Sequence, residues 1–112
     1  MRYVDKMADI STSDVIALDD VELWRPRRED VAWLVELRNR HEVRPWFYHS
    51  DQILPEVSER WIVERMTDDE NSLRVVRLRG LEQGLGTIGW ERIWTDPGRY
   101  EVGRLVLDTT RL

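Results

Sequence analysis

Apolar residues recur along the chain with two different periods, and the change falls near residue 71. Over residues 29–40, Val31, Leu34, Val35 and Leu37 sit three or four apart, which puts them on one side of a helix. Glu29 and Asp30 suit its N-terminal dipole, Arg38 and Arg40 suit its C-terminal end, and Pro26 suits its entry. A second helix is expected over residues 55–66, with Val57, Trp61, Ile62 and Met66 as its apolar stripe and Asp68-Asp69-Glu70-Asn71 as its break. Beyond residue 71 the period drops to two. Residues 73–79, 85–94 and 100–107 read as strands joined by turns at Gly80 to Gly84 and at Asp96-Pro97-Gly98, an antiparallel meander. Upstream of the first helix, residues 15–18 and 21–25 are short β-prone runs about an Asp19-Asp20 turn. Residues 1–14 hold no sustained period and end in turn-like Ser11-Thr12-Ser13-Asp14, so they are expected to be a flexible N-terminal tail. Residues 15–112 then form one domain.

Composition bounds the chemistry. A chain of 112 residues is one domain or part of one. With no cysteine it has no disulfide, Cys-ligated zinc, iron–sulfur cluster or thiol nucleophile. Hydrophobic residues make up 41% and charged ones 35%, a balance that folds. The net charge of −5 argues against nucleic-acid and anionic-membrane binding, both of which draw on positive surface. Neither a long apolar window nor a signal-like N-terminus is present in the sequence, so a cytoplasmic protein is expected. All the basic residues except Lys6 are arginine, which reflects either bidentate pairing with the carboxylates or a coding preference.

Several motifs reduce to ordinary structure. Gly84-Leu85-Gly86-Thr87-Ile88-Gly89 spells a dinucleotide-binding pattern, but a strand rather than a helix follows it, so a hairpin turn with strand glycines is expected. His49-Ser50-Asp51 has the residue types of a catalytic triad, yet contiguous side chains do not converge. His41 and His49 have no metal-ligand spacing, and no metal is expected. Residues 44–48, with Pro45 and three consecutive aromatics, form either one wall of a small pocket or a cap on the core under the first helix. Gly103 inside the last strand points to a bulge or to the close approach of a ligand or backbone. Glu101 shares its face by alternation. A half-buried carboxylate there is the type of group that accepts a proton from an amine at neutral pH; the other reading is a surface Glu paired with an arginine.

Leu23-Trp24-Arg25-Pro26, Glu36-Leu37-Arg38-Asn39, Glu42-Val43-Arg44-Pro45-Trp46-Phe47, Gly86-Thr87-Ile88-Gly89 and the segment from Glu101 to Asp108 come in an order and spacing that resemble the N-terminal part of a GCN5-related N-acetyltransferase (GNAT). The likeness is to the branch acting on ribosomal proteins and small molecules. It implies an α+β fold, an α/β sandwich in the order β-α-α-β-β-β over a mostly antiparallel sheet, and acetyl transfer from acetyl-CoA to a primary amine of a small molecule, peptide or protein. It further implies that backbone groups of Leu105, Val106 and Leu107 meet the pantetheine arm. Glu101 would be the general base through a water, with Glu91 in reserve, and Trp46, Phe47 and Tyr48 would help form the acceptor pocket. The family's pyrophosphate loop would follow Thr109-Thr110-Arg111-Leu112, where this sequence stops. Without the C-terminal half, one sheet face is expected to lack helix cover and the last strand to be a bare edge. A second copy or another chain would then complete the sheet. The alternative implied is a non-catalytic interaction or regulatory module that keeps half of the fold.

Overall fold

The computed structural model describes residues 2–5, 13–40, 54–96 and 98–111. Its strands are β1 (Arg2–Asp5), β2 (Val15–Leu18), β3 (Val21–Trp24), β4 (Asn71–Leu78), β5 (Gly86–Arg92) and β6 (Arg99–Leu107); its helices are α1 (Val31–Asn39) and α2 (Pro55–Arg65). All six strands form one antiparallel sheet in the order β1-β6-β5-β4-β3-β2. The expected α+β architecture is therefore present, with both helices inserted between the β2–β3 hairpin and the β4–β5–β6 meander.

Local chemistry explains the element ends. Asp19 takes the left-handed conformation (φ 52°) in the two-residue β2–β3 loop, which an Asp tolerates better than most residues. Residues 28–30 form a tight 3₁₀ turn before α1, and the Asp30 carboxylate accepts the Arg27 backbone N–H at 2.8 Å, so α1 starts two residues later than the apolar period suggests. In α2 the inward line runs through Ser58 and Ile62, while Val57 is 48% exposed, so the expected stripe is turned by about one residue.

The sheet carries a core on each face. On the helix side Val31, Leu34, Ile62, Leu73 and Val75 pack together, with Trp33, Val35, Trp61 and Met66 around them. On the other side Ile16, Leu23, Trp90 and Tyr100 are buried, flanked by Val21, Val76, Ile88 and Val102. That second face is thus covered at one end, where the Arg74 guanidinium lies 5.3 Å over Trp90 and donates to the carbonyls of Ser13 (2.5 Å) and Asp14 (3.1 Å). At the other end Leu18, Leu78, Leu105 and Leu107 remain exposed.

Two expectations need correction. Residues 2–5 are not tail: they pair with residues 99–102 of β6, Arg2 opposite Val102 and Asp5 opposite Arg99. For the same reason β6 is not a bare edge along its whole length. Its residues 99–102 pair with β1, and among the described residues the edge beyond Val102 has no strand partner.

Candidate functional site

The interruption predicted at Gly103 lies between β5 and β6. Gly89 faces Gly103 and Thr87 faces Val106, so two steps on β5 oppose three on β6 and the extra residue makes a bulge. Beyond it Val106 turns toward the helices, while Leu105 and Leu107 point to the opposite, exposed face. Because β1 stops at Val102, among the described residues no strand runs along the outer side of residues 103–107. On that outer side the backbone groups of the bulged strand have no strand partner among the described residues.

On the helix side of the same strands lies a cavity of about 20 Å³, room for one ordered water, lined by Leu34, Leu37, Arg38, Trp61, Ile62, Leu73, Thr87 and Val106. Trp61 forms part of its wall between two guanidiniums, Arg38 at 4.1 Å and Arg65 at 4.3 Å from the ring centroid. Arg65 also reaches Glu91 at 3.1 Å. Glu91 is the direct cross-strand partner of Glu101, so the two carboxylates share the helix face, and both are half-buried. The expected base and its reserve are thus neighbours, and the reserve is bound by Arg65.

Of the expected site residues, Glu101 and Val106 share this face, with Val106 in the cavity wall. Leu105 and Leu107 lie exposed on the opposite face of the same strand. Trp46, Phe47 and Tyr48, and the two histidines, lie outside the described residues. No group of His, Asp or Glu fit to hold a metal ion occurs among the described residues.

Sequence reasoning passed over Asp108. It is 1% exposed, directly after β6, and accepts hydrogen bonds from Trp33 Nε1 (2.8 Å), Arg40 Nη1 (2.6 Å), and the Thr110 N–H (3.1 Å) and Oγ1 (2.6 Å). Burial works to raise its pKa, but the bonds from Arg40, Thr110 and Trp33 outweigh it and hold the carboxyl well below the ordinary range. Arg40 is pushed upward by Glu36 and Asp108 in turn. The signal available in the sequence was an Asp-Thr-Thr turn directly after an apolar run.

The two close-packed glycines of the Gly84-Leu85-Gly86 turn serve structure. A Cβ at Gly84 would lie 2.6 Å from Val75 Cγ1 and 2.9 Å from the Trp33 ring, and one at Gly86 would collide with the Val106 carbonyl oxygen.

No sequence family and no curated protein matches the chain. A solved structure described as apo FdhC, a nucleotide-linked sugar GNAT, superposes with a TM-score of 0.61 at 15% identity over 84% of this chain. The fold is that of part of a GNAT domain. The chain spans 54% of the length of that neighbour. At this identity the likeness concerns the fold and does not carry the ribosomal-protein branch.

Proposed function

We propose that this chain is part of an N-acetyltransferase that moves an acetyl group from acetyl-CoA to a primary amine. The observation that carries the reading is the bulged run of β6 at residues 103–107, whose outer side has no strand partner among the described residues, beside a small apolar cavity and on the strand of Glu101. An extended pantetheine arm bears amides that match an open strand edge, and the backbone of Leu105, Val106 and Leu107 offers them partners. Val106 and Thr87 would flank the acetyl end. Glu101, through a water, takes the proton that the amine sheds as its nitrogen bonds to the acetyl carbon and the carbon–sulfur bond breaks; the departing thiolate is protonated from solvent. Glu91, held by Arg65, is less free to do so.

The test is a calorimetric titration of the protein with acetyl-CoA, joined to an acetylation assay over a panel of amines. One-to-one binding and turnover are expected, and replacing Glu101→Gln should lower kcat by about 10²-fold or more with little change in KM. Absence of binding overturns the reading, and an unchanged kcat removes Glu101 from the role. A second reading, a binding module using the sheet, is favoured by the exposed Leu18, Leu78, Leu105 and Leu107 on the face away from the helices. It predicts a stable complex and no turnover.

A further inference from the structure

The sheet side of the cavity is formed by Thr87 and Val106, directly opposed on β5 and β6 beside the bulge. Its helix side comes from α1 and α2, Leu37 and Trp61 among them. At about 20 Å³ it holds one group the size of a water or a methyl, and the lining decides between the two. Six of its eight residues are apolar or aromatic, and the Arg38 guanidinium lies stacked on Trp61 at 4.1 Å. A buried water needs several polar partners, whereas a cavity lined in this way stays dry and takes an apolar guest. Among the lining residues Leu37 stands apart. Leu34, Ile62 and Leu73 belong to the packed helix-side core, and Trp61 is held between Arg38 and Arg65. Leu37 is 2% exposed, one turn beyond Leu34 on the same side of α1, and is buried at the cavity without being one of that core's residues.

We propose that Leu37 is the specificity-determining residue for the acyl donor: it sets the depth of the pocket behind Thr87 and Val106, so that the methyl of an acetyl group fits and a longer chain does not. The proposal rests on the acetyl-transfer reading, which brings the acyl end to Thr87 and Val106. A pocket the size of one methyl selects by exclusion, because each added methylene must push a close-packed side chain off its preferred position. One methylene in an apolar pocket changes kcat/KM by about 10- to 200-fold.

The experiment compares acetyl-, propionyl- and butyryl-CoA in calorimetric titration and in kcat/KM with one amine, for wild type, Leu37→Val and Leu37→Ala. Wild type should prefer acetyl over propionyl by about 10-fold or more and use butyryl-CoA less well still. Leu37→Val should narrow the first preference, and Leu37→Ala should narrow the preference for acetyl over butyryl by about 10-fold or more. A role in packing alone would lower the melting temperature and the active fraction but leave the ratio between donors unchanged, and that result overturns the proposal. Should Leu37→Ala fail to fold, Leu37→Val carries the test, since it removes a single methylene. Xenon gives a readout apart from activity. Under xenon pressure the methyl NMR signals of Leu34, Leu37, Leu73 and Val106 should shift in the free protein, and saturating acetyl-CoA should abolish the shifts. Absent shifts in the free protein, or shifts that persist with acetyl-CoA bound, also overturn the proposal. If acetyl-CoA does not bind at all, the transfer reading falls and takes this proposal with it. Equal kcat/KM for all three donors leaves that reading standing and removes only the role of Leu37.

Discussion

At the scale of single residues, the informative positions are those where a side chain or its absence decides a backbone path. Gly86 begins β5 between Val76 and Leu107, and any Cβ there would meet the Val106 carbonyl and lie 2.9 Å from Leu107 Cα. Gly86→Ala should therefore destabilise by about 1–3 kcal/mol through overpacking. Because relief must come from moving residues 106–107, the acetyl-transfer proposal further predicts that acetyl-CoA binding weakens by more than the loss of folded protein explains. Urea denaturation and calorimetric titration of the same preparation separate the two effects, and unchanged stability would show that β6 yields freely. Asp108 supplies a pH signature. Its folded pKa lies below the unfolded one, so its contribution is fully present above about pH 4 and fades as pH falls toward the folded value. Melting temperatures of wild type and Asp108→Asn, followed from about pH 7 to about pH 3, should draw closer as pH falls below about 4 without meeting, because the folded carboxyl stays ionised well below its ordinary range. A gap that stays constant would exclude the carboxylate as its source. Gly103 and Glu101 were visible in the sequence because each breaks an apolar strand. Asp108 was not, because a carboxylate at a strand end looks like any surface turn until Arg40, 68 positions away, is folded against it.

Elements were legible where period and punctuation agreed. The two helices and the three-strand meander follow from spacing and from Pro26, Pro55, Gly80 and Gly98, and the structure shifts their ends by only a residue or two. The facing of α2 was less legible. Val57, Trp61, Ile62 and Met66 make an acceptable apolar stripe, but Ser58 is small enough to let the helix sit close, so the helix turns and Val57 is left in solvent. Ile62 is fully buried against the helix-side core and also lines the cavity. Ile62→Ala should cost about 2–5 kcal/mol, whereas Val57→Ala should stay within about 0.5 kcal/mol. Equal losses in urea unfolding would mean that α2 packs through the stripe read from the sequence.

Over the whole molecule, arginine does much of the joining. Arg25 ties Asp14 to Asp69 and the Met66 carbonyl, Arg77 links β4 to Asp30 and the Glu82 carbonyl, and Arg74 crosses beneath Trp90 to the chain entering β2. The arginine-rich composition thus serves pairing in the folded chain, whatever its origin in coding. Burial, with Arg25 nearby, pushes Arg74 down to about 10, which leaves it charged at neutral pH. The N-terminal strand was the hardest part to foresee, since four residues carry too little pattern to register as a strand and β1 owes its state to its partner. Its backbone pairs with residues 99–102 and stops where the bulge begins. Covering that stretch removes half of an edge that would otherwise invite another strand. Deleting residues 1–12 tests the point, and the two views of this segment predict opposite outcomes. A loose tail could be lost without effect. A covering strand cannot: the truncated protein should expose the edge of β6 beside the apolar Leu105 and Leu107, associate as its concentration rises in light scattering, and show faster amide exchange at residues 99–102. A truncated protein that stays monomeric with unaltered exchange would return residues 2–5 to the status of a tail.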